Sequence, residues 1–268
     1  MIDNVREISN VAWADIRFMR HTWVNVFLMS MMTPFLYLLA FGYGVGTFVN
    51  DIETDYGIMS YITFIIPGII ALTALSAPFS SVSGRMNVQR LYYRSFDEMM
   101  LCPLRFSSIA IGKAMMGIIR GLLSCSIIFI LGFVFTHLTG TTGMQLEFSF
   151  HFVIVLLVSC FTFSMLGETA AFLAKSHASM ATFSTLVILP MTFLCGTFFV
   201  ISMMPGWFQA ILYVLPLTYS STLMRESLIR VDGVVPFDTM SWVFLIILIA
   251  MGLALLLLNI YLMKSRRI

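Results

Sequence analysis

The chain has 268 residues, of which 59% are hydrophobic and only 10% charged, and it carries a net charge of +2 at pH 7. Soluble domains average about 45–50% apolar and 25% charged residues, so this composition excludes a water-soluble fold, and the small net charge gives no reason to invoke nucleic acid. A spanning helix needs roughly 20 apolar residues, so six would use about 120 and leave room for one substantial cytoplasmic loop and one outer segment; the expectation is a single all-α transmembrane domain over 1–268.

Residues 1–22 carry Asp3, Arg6, Glu7, Asp15, Arg17 and Arg20 and lack the unbroken apolar stretch of a cleaved signal, so this segment is expected to stay on the mature protein. Val5, Ile8, Ala12, Ile16, Met19 and Trp23 recur at spacings of three and four, with Arg6, Asp15, Arg17 and Arg20 off that face. The pattern predicts an amphipathic helix in the membrane interface, with Trp13 and Trp23 at headgroup depth; a short soluble helix capping a partner subunit is the alternative.

Six spans follow. The first covers 24–49, interrupted by Pro34, Gly42, Gly44 and Gly46, and ends at Asp51, Glu53 and Asp55. The second covers 61–82, where Pro67, Gly68 and Pro78 predict kinks and close approach to another helix. A polar loop over 83–106 holds Arg85, Arg90, Arg94, Asp97, Glu98 and Arg105. The third span, 109–135, begins with Lys113 and Arg120; the remaining spans are 150–174, 180–201 and 242–263. Between the last two, residues 202–239 contain a stretch too broken by Pro205, Gly206 and Pro216 to span and too apolar for an exposed loop. A re-entrant helical hairpin on the outer side reconciles both facts, because irregular backbone at membrane depth must be buried in protein; a surface amphipathic hairpin is the alternative.

Orientation follows from the loop charges. All but Arg225 and Arg230 of the 15 Lys and Arg residues fall on one side of these spans. The other side holds most of the acids: Asp51, Glu53, Asp55, Glu147, Glu226, Asp232 and Asp238. By the positive-inside rule both termini, the 83–106 loop and the 175–179 turn are expected in the cytoplasm of a multi-pass cell-membrane protein.

Catalytic chemistry finds no support. The four cysteines lie far apart, without a C-x-x-C pair, and read as packing residues. His21, His137, His151 and His177 form no ligand pattern, and no G-x-S-x-G is present. The 21 methionines and 25 phenylalanines show no ligand spacing and fit packing or lipid contact. No catalytic, metal or cofactor residue is assigned. Inside the membrane the ionisable residues are Glu168, Lys113 and Arg120; each should face protein or water, and Glu168 is expected to pair with Arg120 or Lys113, a structural role weighed above a proton relay.

Two segments go beyond generic patterning. One is Ser95-Phe96-Asp97-Glu98-Met99-Met100-Leu101-Cys102-Pro103-Leu104-Arg105, leading to Gly112-Lys113. The other runs through Leu194-Cys195-Gly196-Thr197-Phe198-Phe199, Met204-Pro205-Gly206-Trp207-Phe208, Leu215-Pro216-Leu217-Thr218-Tyr219 and Arg225. Together with Pro67-Gly68 they resemble the permease subunits of type-2 ABC exporters, a group that includes nodulation-factor, daunorubicin-type and polysaccharide exporters, and the six-span layout is similar over essentially the whole chain. The resemblance implies a permease that works as a homodimer with two cytoplasmic ATPase subunits, which would hold the ATP and Mg. It also makes the helix around Phe96, Asp97, Glu98, Met99 and Met100, ended by Pro103, the coupling helix, with Gly196, Phe198, Phe199, Pro205, Trp207, Pro216, Tyr219 and Arg225 as motif residues of the outer gate.

The residues agree with a division of labour. The one Gly-Lys pair, Gly112-Lys113, is followed by Ala114 and lacks the upstream glycine of a phosphate-binding loop, so ATP hydrolysis is expected on another polypeptide. Phe96, Met99 and Met100 would supply an apolar anchor to that partner, and Asp97 and Glu98 would meet its basic groups; an ordinary solvated loop is the alternative. The mostly apolar spans suit export of a lipid, lipid-linked glycan or hydrophobic drug, with membrane lipids as neighbours. The competing readings are an ion-gradient-driven transporter and a non-transporting membrane scaffold.

Overall fold

The computed structural model describes residues 2–21, 28, 32–46, 48–49, 51–54, 57–139, 148–229 and 238–266. Residues 24–27, 29–31 and 47 of the expected first span lie outside them, as do Trp23, Asp55, Glu147, Arg230 and Asp232.

Helix α1 (Ile2–His21) leads in. Helix α2 (residues 32–45) ends in a π-helical stretch, Leu38–Val45. Strands β1 (Asp51–Thr54) and β2 (Gly57–Ser60) then pair antiparallel with Asp51 opposite Ser60, the one departure from helix among the described elements. Ile52 and Met59, facing the same way from paired positions, pack on the main core. There follow α3 (Tyr61–Leu91), α4 (Ser95–Leu101), α5 (Phe106–Thr139), α6 (Phe150–Leu173), α7 (His177–Leu194), α8 (Gly206–Leu212), α9 (Pro216–Leu228) and α10 (Thr239–Arg266).

Five of the described helices, α3, α5, α6, α7 and α10, are long and apolar enough to cross a membrane. Helix α3 is the axle. It packs against α5, α6 and α9, and 89% of its most apolar window is buried, against 22% for α10. At 1.5 Å per residue the 31 residues of α3 extend ~46 Å, well beyond a hydrocarbon layer of about 30 Å. The segment expected as loop, 83–106, is therefore largely helix: α3 continues to Leu91, and α4 follows over Ser95–Leu101. The helix runs through Pro67 and Pro78 without interruption.

Helix α7 also differs from the expected span, 180–201. It starts earlier because Ser176 and Ser179 form a reciprocal capping box. Ahead of Pro190, which has no N–H to donate, the turn Ser184–Ile188 widens to π geometry. The helix ends at Leu194 because Gly196 adopts φ +68, which a helix cannot continue through.

Candidate functional site

The elements gather functional residues at the two ends of the bundle. At one end Arg225, on α9 and only 4% exposed, reaches across to α3 and to the chain leaving α7. Its Nε donates to the Phe64 carbonyl at 3.3 Å and one Nη donates to the carbonyls of Thr197, at 3.0 Å, and Gly196. The guanidinium lies 4.0 Å from the centre of the Phe64 ring. Gly68 is the residue that lets these strands meet: a Cβ there would stand 2.6 Å from the Thr197 oxygen and 3.0 Å from Arg225. Ser221 donates to the Cys195 carbonyl at 2.9 Å, closing the same turn from α9.

Tyr219 donates to the Tyr213 carbonyl at 2.6 Å and Thr218 to the Leu212 carbonyl at 2.6 Å, so α9 grips the end of α8. Burial, with a smaller contribution from Tyr213, raises the Tyr219 phenol, which keeps its proton for this bond. Pro216 opens α9 at a position where its missing N–H is not needed. Phe198 packs its ring 4.3 Å from Phe41 on α2 and 5.8 Å from Tyr37, and Phe199 is half-buried beside it. Thus Gly196, Phe198, Pro216, Tyr219 and Arg225 come together with Pro67-Gly68, although they are spread over more than half the chain. Pro205 and Trp207 do not join them: both are exposed at the start of α8, with Trp207 packed only edge-on against Phe208 among its ring contacts.

The opposite end gathers the basic residues. Helix α4 begins at Arg94, whose left-handed backbone (φ 54) turns the chain sharply out of α3. Phe96 does not face outward as expected. It is 3% exposed and packs edge-on to Phe172 at 5.7 Å, within a cluster that includes Met86, Ile109 and Met263. Met99 and Met100 lean on the same cluster. The anchor expected for a partner subunit instead fastens α4 to its own bundle. The outward face is Tyr92, Tyr93, Arg94, Asp97, Glu98 and Leu101, of which Leu101 is 83% exposed. Pro103 is exposed two residues past the end of α4, which stops at Leu101.

The expected pairing of Glu168 is also replaced. Lys113 bonds Asp15 Oδ2 at 2.7 Å and Gln89 Oε1 at 2.6 Å, while Asp15 Oδ1 accepts from Arg85 Nε and Gln89 Nε2, both at 3.2 Å. Asp15, placed by its chemistry on the polar face of α1, is 1% exposed. The buried face of α1 is Val11, Ala12 and Asp15, flanked by Ile8, Ile16 and Met19, while Val5 and Trp13 face outward. A spacing of Ile8, Val11, Ala12, Asp15 and Met19 was there to be read; a carboxylate in it was the obstacle. Glu168 is fully buried on α6 with neither carboxyl oxygen hydrogen-bonded among the described residues. Its electrostatic surroundings include Lys113 and Asp15. Arg120 is half-buried one turn and more beyond Lys113 on α5.

Known proteins are similar to this chain in sequence. The chain is 25% identical to the inner membrane transport permease YadH of Escherichia coli K12 over 238 residues, 87% of this chain and 86% of that protein. It is 29% identical to nodulation protein J of Rhizobium leguminosarum bv. viciae over 206 residues, 75% and 74% of the two chains, and 28% identical to nodulation protein J of Rhizobium meliloti over 211 residues. The family model described as ABC-2 type transporter matches residues 6–229, from α1 through the Arg225 contacts, and the chain accordingly belongs to the ABC-2 type transporter family and is a multi-pass membrane transport permease.

Proposed function

We propose that this chain is the permease subunit of an ABC exporter, in which two copies form the pathway for an amphipathic or hydrophobic substrate and separate cytoplasmic ATPase subunits, holding ATP and Mg, drive it. The observation that carries this reading is α4. A seven-residue helix pinned by Phe96 to the core, yet presenting Asp97, Glu98 and Leu101 outward, is a rigid lever: a push on its outer face moves α3 and α6 rather than bending a loop. In this reading the basic end, with both termini, faces the cytoplasm, as the Lys and Arg distribution favours. The tethered α8–α9 segment closes the outer end, where Arg225 holds irregular backbone whose carbonyls have no helix to bond to.

The test is biochemical. The full chain is co-expressed with an ABC-class ATPase subunit from the same genome, purified and placed in lipid nanodiscs. The expected result is a complex with two copies of each subunit, whose ATP hydrolysis depends on the permease and rises with a lipid, glycolipid or apolar drug. Cargo movement by the permease alone, without nucleotide, overturns the reading.

One observation favours a second reading, an ion-gradient-driven transporter: a fully buried ionisable Glu168 without a hydrogen-bond partner among the described residues, since intramembrane ionisable groups mark ion pathways. Transport that persists with a hydrolysis-dead ATPase, follows a proton gradient and disappears in Glu168→Gln would establish it.

A further inference from the structure

A cavity of about 220 Å3 opens between the end of α1, α3 and α5, lined by Phe18, Met19, Ser81, Arg85, Met116 and Arg120 among others. We propose that it binds the phosphate of an anionic membrane lipid.

The charge balance at this end comes first. Asp15 answers two cations, Lys113 through Oδ2 and Arg85 through Oδ1, and Glu168 is a second carboxylate in the surroundings of Lys113; with Arg120 on the cavity wall, three cations face two carboxylates among the described residues, which leaves a positive excess. Arg85 uses only Nε in that contact, and its guanidinium lies 3.8 Å from the centre of the Phe18 ring. It is thereby held flat and immobile. Its terminal amino groups make no hydrogen bond among the described residues, and a guanidinium presents them as a fork that matches two phosphate oxygens. Ser81 supplies an independent sign of a missing ligand. It is 3% exposed, its Oγ has no hydrogen-bond partner among the described residues, and it lines this cavity. Buried hydroxyls left without a partner are uncommon.

The remaining walls decide which phosphate. Phe18, Met19, Val88 and Met116 offer apolar surface beside the cations. Drug-sized pockets run from about 300 Å3 upward, so the space suits a headgroup and the first glycerol carbons rather than a whole amphiphile. A free aqueous anion gains nothing from apolar walls; a phosphodiester whose acyl chains continue into the bilayer does. The positive excess selects a lipid with net negative charge, such as phosphatidylglycerol, over a zwitterionic one. The site would glue α1 to α3 and α5 only when the protein sits in a membrane of the right composition.

The full-length protein is purified from nanodiscs of phosphatidylcholine containing phosphatidylglycerol, stripped by graded detergent washing, and the retained lipids are counted by mass spectrometry. Phosphatidylglycerol should outlast phosphatidylcholine, and Arg120→Gln should lower its retention about tenfold, the scale of one charge-assisted contact. Lys264→Gln, an exposed cation at the same end, should change nothing. Ser81→Ala, a change too mild to prevent folding, should lower retention in the same direction. Equal retention of the two lipids overturns the proposal, as does equal loss in Lys264→Gln. Inorganic phosphate that raises the Tm of the detergent-solubilised protein as much as phosphatidylglycerol does overturns the lipid as its source.

Discussion

The two ends of this bundle hold a buried cation in opposite ways. Where α9 meets α3 and the chain leaving α7, Arg225 donates to the backbone carbonyls of Phe64, Gly196 and Thr197 and lies over the Phe64 ring. At the basic end Lys113 is answered by side chains, Asp15 and Gln89. Carbonyls cannot be mutated away, and two of the three, those of Gly196 and Thr197, sit where the chain has left the helix, so the arginine fastens non-helical backbone to α3, to which the Phe64 carbonyl belongs. A carboxylate on α1 can leave with α1. The first arrangement suits a seal, and the second suits a joint between a peripheral helix and the spanning core.

Replacing Arg225 gives the largest effect on this view. Arg225→Met keeps the bulk but leaves three buried carbonyls without their donor, and the expected loss is about 3–5 kcal/mol, the scale of breaking a buried charged contact. Arg225→Lys should rescue little, because a single ammonium cannot span carbonyls that the guanidinium fork bridges. Thermal unfolding in lipid nanodiscs measures both. A lysine variant as stable as the parent would show that charge alone, not the fork, holds the outer end.

Breaking the basic end should cost less and be repairable. Asp15→Asn strands Lys113 and frees Arg85, with an expected loss of about 3 kcal/mol, at the low end for a buried pair because Gln89 still accepts from the ammonium. Removing both charges, in Asp15→Asn combined with Lys113→Met, should recover part of that loss, and the double-mutant cycle should give a coupling of about 1–3 kcal/mol. The same readout applies, and strict additivity would mean that the pair is not a joint at all.

Between the two lies Glu168, whose change should be smaller and of opposite sign. Its carboxyl has no hydrogen-bond partner among the described residues, so a side chain of similar length without that penalty, as in Glu168→Met, is expected to stabilise the fold by about 1–2 kcal/mol. A raised Tm together with impaired transport would mark Glu168 as functional. A lowered Tm would mean that the carboxyl has a structural partner after all.

How much of this could be read beforehand follows the same divide. The Arg225 end was legible in part, because some of its signals are conformational: Gly68, Gly196 and Pro216 each impose or permit one backbone geometry, whereas Pro205 and Trp207 of the same motif stand exposed and apart. Five of the six expected spans were legible from hydropathy, though their ends were not. Helix α3 outruns its apolar stretch because Arg85, Gln89 and Arg90 find partners on α1, α5 and α6, which no local pattern encodes. The basic end was misread for a related reason. Asp15 was assigned outward by its charge and Phe96 toward a partner by its apolarity, when the fold supplies a lysine for the one and a phenylalanine for the other. The pairing of β1 with β2 also escaped notice, as two four-residue strands are too short for periodicity to speak.

The smallest effect on stability, and the sharpest on function, is expected at the outer face of α4. Phe96 is unsuitable as a probe: Phe96→Ala opens a hole beside Phe172 and would disturb folding and coupling together. Glu98 and Leu101 are exposed, so Glu98→Lys and Leu101→Ala should shift stability by no more than about 0.5 kcal/mol, as surface changes usually do. If a partner ATPase seats on this face, Glu98→Lys inverts a charge at the contact and Leu101→Ala removes its most protruding apolar group. Both variants should then assemble less well or hydrolyse ATP without moving cargo, and a basic-to-acidic exchange at the facing position of the ATPase should restore function to Glu98→Lys. Normal substrate-stimulated hydrolysis in both variants, with unchanged assembly, would return α4 to the status of a surface connection and leave force transmission to another part of the basic end.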